Sequence, residues 1–277
     1  MSIRDQVAIV TGASSGIGAA LARSLAAKGV HVVLAARRTD RIDALAIELA
    51  QQFGVRTLAI ATDVSKRAEI EALVARAIVE FQRIDILVNN AGLGLQGDVA
   101  DLAEDRLRYL FDVNVFGLVN AMQAVLPYMR RQGSGVIVNV SSILGKVVVP
   151  SLGMVGSSAG YTASKFAVQA FSAAARMELA AQGIAVVTVL PGITESEFNT
   201  NFMVSDANGV RKVRKTGSLA GVKPAAAVAD RIVLAIERRE REVLFSWKDR
   251  LFIWGAHHFP GLFEWAMIRF RASRIGE

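Results

Sequence analysis

The sequence predicts an α/β fold, a doubly wound parallel sheet of about seven strands with helices on both faces, and three observations predict it. Short apolar runs alternate with helical stretches from the first residues to about residue 245. The apolar runs are uninterrupted Val/Ile/Leu segments, the pattern of strands buried on both faces. The first strand runs straight into a glycine-rich turn and a helix, the opening of a parallel strand–helix–strand unit.

The first strand is expected at 6–10, and an Ala/Leu-rich helix at 17–28 is stopped by Gly29. Glycine ends helices because it adopts the left-handed conformation without steric cost. A strand at 30–36 leads into a helix at 41–53, closed by Gly54. The unit repeats with a strand at 55–61, a helix at 66–81 and a strand at 84–88. Two helical segments, about 103–111 and 115–131, precede a strand at 135–140. A helix over 161–181 ends near Gly183 and hands over to a strand at 184–190, and a helix at 225–239 and a strand at 242–245 complete the series. Right-handed crossovers make the doubly wound arrangement the default, with its ligand at the carboxyl ends of the strands.

The chain of 277 residues, 52% hydrophobic, is read as one domain, since no Pro/Gly/Ser-rich or charge-dense linker divides it. It has no cysteine, which excludes disulfides, thiolate metal sites and a cysteine nucleophile, and fits a cytoplasmic protein. The N-terminus lacks the profile of a cleavable signal. The uncharged stretch 251–263 is 13 residues long, short of the about 20 that a membrane span needs. The 32 basic and 25 acidic residues give a net charge of +7. The basic residues are scattered apart from Arg211–Lys215, so no nucleic-acid partner is expected. His31, His257 and His258 form no ligand set with Asp/Glu at metal spacing, and no metal is expected.

Between the first strand and helix lies Thr11-Gly12-Ala13-Ser14-Ser15-Gly16-Ile17-Gly18. A pyrophosphate can approach such a backbone without meeting a Cβ, and the helix presents free N–H groups and its positive dipole end to the anion. Ser14 and Ser15 add hydroxyl donors. The same residues, and again Gly156–Gly160, also match the G-x-S-x-G turn of serine hydrolases, with Asp230 or Asp249 and then His257 in triad order. That reading ranks below the nucleotide one, because the first match precedes any strand able to supply the oxyanion loop and the second follows no strand.

A site for NAD(H) typically ends its second strand in an acid that binds the ribose 2′-hydroxyl. Here the strand ends Leu34-Ala35-Ala36-Arg37-Arg38. Guanidinium groups pair with a 2′-phosphate that a carboxylate would repel, so NADP(H) is favoured over NAD(H).

Tyr161 and Lys165 stand four residues apart at the start of a helix, on one face. A phenol near pKa 10 is a poor base at neutral pH, and a neighbouring cation is expected to lower it. Tyr161 thereby becomes a candidate acid/base for a carbonyl or hydroxyl oxygen. Ser142, at the end of Asn139-Val140-Ser141-Ser142, offers a hydroxyl able to donate to a developing alkoxide and accept from Tyr161.

On these residues, together with Asn89-Asn90-Ala91-Gly92, Asn114 and Pro191-Gly192, the chain resembles a short-chain dehydrogenase/reductase of the single-domain, Tyr-x-x-x-Lys branch, over about residues 6–245. The resemblance implies a Rossmann-like fold, a homodimer or homotetramer, and a small-molecule carbonyl/alcohol substrate. It makes Tyr161 the proton donor and acceptor, with Ser142 orienting the substrate oxygen. Lys165 tunes the tyrosine and grips the nicotinamide ribose, and Asn114 helps hold a water linking Lys165 to solvent. Gly12, Ser14, Ser15, Gly16, Ile17 and Gly18 form the phosphate turn, with Arg37 and Arg38 at the 2′-phosphate. Asp63 and Val64 contact adenine, Asn90, Ala91 and Gly92 line the adenosine ribose side, and Pro191, Gly192, Ile193 and Thr194 meet the carboxamide.

Two features depart from the family pattern. Ser142 and Tyr161 are 19 positions apart, several more than usual, with the surplus at 152–158. This reshapes one wall of the substrate pocket and leaves Ser157 or Ser158 as outside candidates for the serine role. Ser196 stands where threonine is commoner. The stretch 197–223 is expected to form a substrate lid, with Arg211–Lys215 either solvated or gripping an acidic acyl thioester. The extension 246–277, rich in Trp and Phe, is expected to fold over the substrate mouth or form a subunit contact, with a peripheral membrane contact as the third option. The leading reading is an NADP(H)-dependent reductase or dehydrogenase of a bulky or apolar ketone/secondary alcohol. A 3-oxoacyl thioester reductase, a non-catalytic NADP(H)-binding redox sensor and, last, a serine hydrolase are the alternatives.

Overall fold

The computed structural model describes residues 2–150, 159–194, 203–204 and 222–275. The chain begins β1 (Val7–Thr11), α1 (Gly16–Ala27), β2 (His31–Ala36), α2 (Thr39–Phe53), β3 (Thr57–Ala61), α3 (Arg67–Phe81) and β4 (Ile86–Asn89). A two-residue strand, β5 (Leu95–Gln96), precedes α4 (Glu104–Phe111), a π-helical turn (Asp112–Phe116) and α5 (Gly117–Gln132). Then come β6 (Gly135–Val140), α6 (Ala159–Leu179), β7 (Ile184–Leu190), β8 (Met203–Val204), α7 (Ala225–Arg238), β9 (Glu242–Leu244), α8 (Trp247–His258) and α9 (Pro260–Ile275).

Seven strands form one sheet in the order β3-β2-β1-β4-β6-β7-β9, every pair parallel. The winding reverses between β1 and β4, which leaves a crevice above their carboxyl ends, the place where such sheets bind ligands. Successive side chains of a strand face opposite ways. Ala8, Val10, Val32 and Leu34 therefore pack under α1, α2 and α7, with Leu25, Leu49 and Ile232. Val7, Ile9, Val33 and Ile137 pack on the other face, with Leu73, Val125 and Val168 of α3, α5 and α6. Each such Leu or Ile contributes about 1.5–3 kcal/mol of burial, so two cores clamp the sheet and fix its strand ends as a rigid platform.

The predicted strands and helices fall within a few residues of those observed. The helices expected at about 103–111 and 115–131 run into one another through the π turn. That continuous run, Glu104–Gln132, is the one described helix long and apolar enough to cross a membrane, and half of its most apolar stretch is buried, as in a core helix. The pairing of β5 with β8 was not anticipated. The extension is a pair of helices in which no described side chain is buried. Ser157, Ser158, Ser196 and Arg211–Lys215 lie outside the described residues.

Candidate active site

The glycine-rich turn is held at the switch point by a threonine and an asparagine. Thr11 Oγ1 donates to Val88 O (3.1 Å) and accepts from the backbone N–H groups of Asn90 (3.1 Å) and Ala91 (3.1 Å). Asn90 Nδ2 returns hydrogen bonds to Thr11 O (2.9 Å) and Gly12 O (3.3 Å). The ends of β1 and β4 are thus stitched together across the crevice. Gly12 has φ +66°, and a Cβ on Gly18 would lie 2.4 Å from Gly12 O and 2.5 Å from Asn90 Nδ2. Only glycine permits so close an approach of turn and helix. Ser15 precedes α1 without capping it by its side chain, so the first-turn N–H groups face the crevice for an anion.

The two arginines after β2 go separate ways. Arg38 lays its guanidinium on the turn, donating from Nη2 to Ser14 Oγ (3.0 Å) and Ser15 Oγ (2.8 Å) and from Nε to Ser14 Oγ (3.2 Å). Arg37 Nη1 donates instead to the Tyr109 hydroxyl on α4 (2.9 Å). At the end of β3, Asp63 Oδ1 accepts from the backbone N (3.0 Å) and hydroxyl (2.8 Å) of Ser65, which shapes the loop. The carbonyl of the next residue, Val64, would lie 2.6 Å from a Cβ on Gly117, so this loop packs directly on the start of α5.

Asn114 sits in the π turn, a helical irregularity frequent at functional sites. Its Oδ1 accepts from Leu93 N (2.8 Å), and its Nδ2 donates to Leu93 O (2.9 Å) and Ser164 Oγ (3.1 Å). Ser164 Oγ donates in turn to Tyr161 O (2.7 Å). A Cβ on Gly92 would meet Asn114 Oδ1 at 3.3 Å and Lys165 Nζ at 3.7 Å. Asn114 thus joins the loop after β4 to the first turn of α6.

Ser142, Tyr161 and Lys165 come together, all three buried. Ser142 leaves β6 in an extended conformation; its Oγ accepts from Leu144 N (3.2 Å), and its side chain hydrogen-bonds with that of Tyr161. Lys165 Nζ donates to Val140 O (3.0 Å) and lies 5.6 Å from the centre of the Tyr161 ring. Ser141 Oγ donates to Lys165 O (3.1 Å), and a Cβ on Gly145 would lie 2.6 Å from Ser141 Oγ, so this turn packs flush against α6. Beyond it, Ile143 N donates to Pro191 O (3.2 Å), and Lys223 N donates to Ile193 O (3.1 Å) beside the buried Thr194. Pro191–Thr194 therefore borders the same site.

The electrostatics correct one expectation. Burial pushes the Tyr161 phenol well above its ordinary value, and the Ser142 hydrogen bond opposes this only in part. Burial also lowers Lys165 to about 8. Desolvation of both groups outweighs the attraction expected from the cation, because each charge would be held away from water. At neutral pH the site therefore holds a protonated phenol beside an ammonium group, an arrangement suited to donating a proton.

Beneath the site lies a polar relay that is not among the expected site residues. Asn89 Nδ2 donates to Asn139 Oδ1 (2.9 Å), Asn139 Nδ2 to Ser172 Oγ (2.9 Å), and Ser172 Oγ to Val168 O (2.6 Å). Its signal in the sequence was an asparagine at or near the end of each of two otherwise apolar strands. The hydrolase alternative does not assemble around Ser14, and its other serine, Ser158, lies outside the described residues. The Ser14 hydroxyl is taken by Arg38, and His257 Nδ1 lies 2.8 Å from Ile253 O on the exposed α8.

A parallel sheet with an anion-binding turn at its switch point, facing a buried Ser–Tyr–Lys group, defines a dinucleotide-dependent oxidoreductase. The family model described as short chain dehydrogenase matches residues 6–206. The chain belongs to that family and is an NAD(P)(H)-dependent oxidoreductase that moves hydride between nicotinamide and a carbonyl/alcohol substrate. It is 33% identical to dehydrogenase/reductase SDR family protein 7-like of Drosophila melanogaster over 276 residues, 98% of this chain and 81% of that protein. It is 38% identical over 251 residues to glycine betaine reductase ATRR of Emericella nidulans, covering 89% of this chain but only 19% of that much longer protein. Among solved structures, a short-chain dehydrogenase from Sphingobium yanoikuyae in complex with NADPH matches with TM-score 0.75 and 31% identity, covering 94% of this chain and 95% of that one. A short-chain dehydrogenase/reductase from Burkholderia phymatum in complex with NAD matches with TM-score 0.81 and 25% identity, covering 95% of this chain and 96% of that one.

Proposed function

We propose that this chain is an NADP(H)-dependent reductase of a bulky or apolar ketone, or dehydrogenase of the corresponding secondary alcohol, working in the cytoplasm. The observation that carries the cofactor choice is Arg38, whose guanidinium bridges Ser14 and Ser15 at the end of β2. A cation and two hydroxyls gathered there form a receptor for a 2′-phosphate, and no carboxylate ends β2 to bind a 2′-hydroxyl instead. Arg37, turned to Tyr109, borders that place from the other side.

The nicotinamide, when bound, supplies or accepts the hydride. In the reductive direction the Tyr161 hydroxyl gives its proton to the substrate oxygen as hydride reaches the carbon, which yields the alcohol. Ser142 donates a hydrogen bond to the same oxygen and fixes its position. Lys165 keeps positive charge beside the phenolate that forms and steadies it. The Asn114 clamp on Leu93 and Ser164 holds the two walls of the site in register. Exposed Phe116 in the π turn and Phe166, Phe171 and Met177 on α6 support assembly into a homodimer or homotetramer.

Loss of absorbance at 340 nm, recorded with aryl-alkyl and cyclic ketones and with 3-oxoacyl thioesters, tests this reading. Turnover of ketones is expected, and Tyr161→Phe lowers it about 10²–10⁴-fold while NADPH still binds. Turnover of thioesters alone favours the acyl-thioester reductase. NADPH binding with no turnover of any carbonyl favours the redox sensor.

A further inference from the structure

Every tryptophan of the chain, Trp247, Trp254 and Trp265, lies in the α8–α9 hairpin. They are 69%, 49% and 55% exposed. On α8 the outward residues Trp247, Leu251 and Trp254 recur at helical spacing, and on α9 Leu262, Trp265 and Ile268 do the same. A second set of apolar groups packs inward, with Phe252 edge-on to Phe263 at 5.2 Å. Each helix is thus apolar on two sides, a pattern found where a helix is fully enclosed or lies in lipid. No described side chain of either helix is buried in this chain.

Cations accompany the tryptophans. Lys248 Nζ lies 6.0 Å from the Trp247 ring and the Arg269 guanidinium 5.1 Å from the Trp265 ring. Residues 246–277 carry five Lys/Arg against three Asp/Glu, within a chain of net charge +7. Tryptophan rings favour the boundary between headgroups and acyl chains, and neighbouring cations favour anionic headgroups. A second copy would bring a face of the same net positive charge against this one, a like-charge pairing that anionic headgroups avoid. The hairpin is tied to the body by Arg271 Nη2 donating to Asp98 Oδ2 (2.7 Å), two residues past β5.

We propose that the α8–α9 hairpin docks this enzyme on the surface of an anionic lipid bilayer. Its tryptophans enter the headgroup boundary, its cations meet anionic headgroups, and the β5 side of the site faces the membrane.

Because all three tryptophans are in the hairpin, tryptophan emission of the full chain reports on this surface alone. The experiment adds vesicles of phosphatidylcholine, with and without one quarter phosphatidylglycerol, and follows emission and cosedimentation. Expected are a blue shift and cosedimentation at least tenfold stronger with the anionic vesicles, both weakened by 0.5 M salt. The variant Leu251→Ser/Leu262→Ser/Ile268→Ser, checked for retained NADPH binding, loses both. Unchanged emission and no sedimentation with either vesicle overturn the proposal, as does a triple variant that sediments like the wild type. A wild-type oligomer that the variant dissociates, without vesicle binding, also overturns it and makes the hairpin a contact between copies.

Discussion

Tyr161 and Lys165 share one face of α6 inside the protein, where burial disfavours the charged form of each. For Lys165 the folded value of about 8 lies below its ordinary 10.5. Between these values the unfolded chain binds the proton and the folded chain has released it, so stability rises with pH across that window. Tyr161, raised rather than lowered, acts in the opposite sense above its ordinary value near 10: there the unfolded chain alone releases its proton, so stability falls as pH rises further. Urea unfolding at pH 8 and pH 10 is therefore expected to show a gain of about 1–3 kcal/mol, attenuated in Lys165→Met. Sequence spacing revealed that Tyr161 and Lys165 meet, because four residues make one helical turn. It did not reveal what dominates their titration, since burial belongs to the packed molecule. Likewise Arg37 and Arg38 are indistinguishable as neighbours in sequence. The exit of the chain from β2 into α2 decides that Arg38 turns to the serines.

The β1–turn–α1 unit works as one element because Gly12, Gly18 and Asn90 occupy the same few ångströms. Gly18→Ala places a Cβ 2.4 Å from a carbonyl oxygen that cannot retreat without moving the turn. The expected outcome is a loss of about 1–3 kcal/mol in urea unfolding, with dinucleotide affinity reduced at least tenfold. Asn114→Ala removes three hydrogen bonds between the π turn, the loop after β4 and α6. It is expected to cost about 2 kcal/mol and to lower kcat more than it raises the KM for NADPH. Most elements were legible because doubly buried strands are written as continuous apolar runs. The π turn was not, since Asp112–Phe116, a run of weak helix formers, reads as a gap between two helices, and β5 and β8, two residues each, leave no period to detect.

At the scale of the whole molecule, the two cores that clamp the sheet contain no residue of α8 or α9. A chain ending at Ser246 is accordingly expected to keep its fold, with a urea midpoint close to that of the full chain and NADPH binding intact. A large drop in that midpoint would show that the hairpin is part of the core. In the function proposed above, the sheet order, the switch point and the glycine turn place the dinucleotide across β1 and β4, and Arg38 after β2 selects NADP(H). Fluorescence titration of NADPH and NADH, for wild type and Arg38→Ala, tests this most directly. NADPH is expected to bind at least tenfold more tightly, about 1.4 kcal/mol, with Arg38→Ala removing the margin and leaving NADH unchanged. Equal affinities in the wild type, or a preference for NADPH that survives Arg38→Ala, would contradict it.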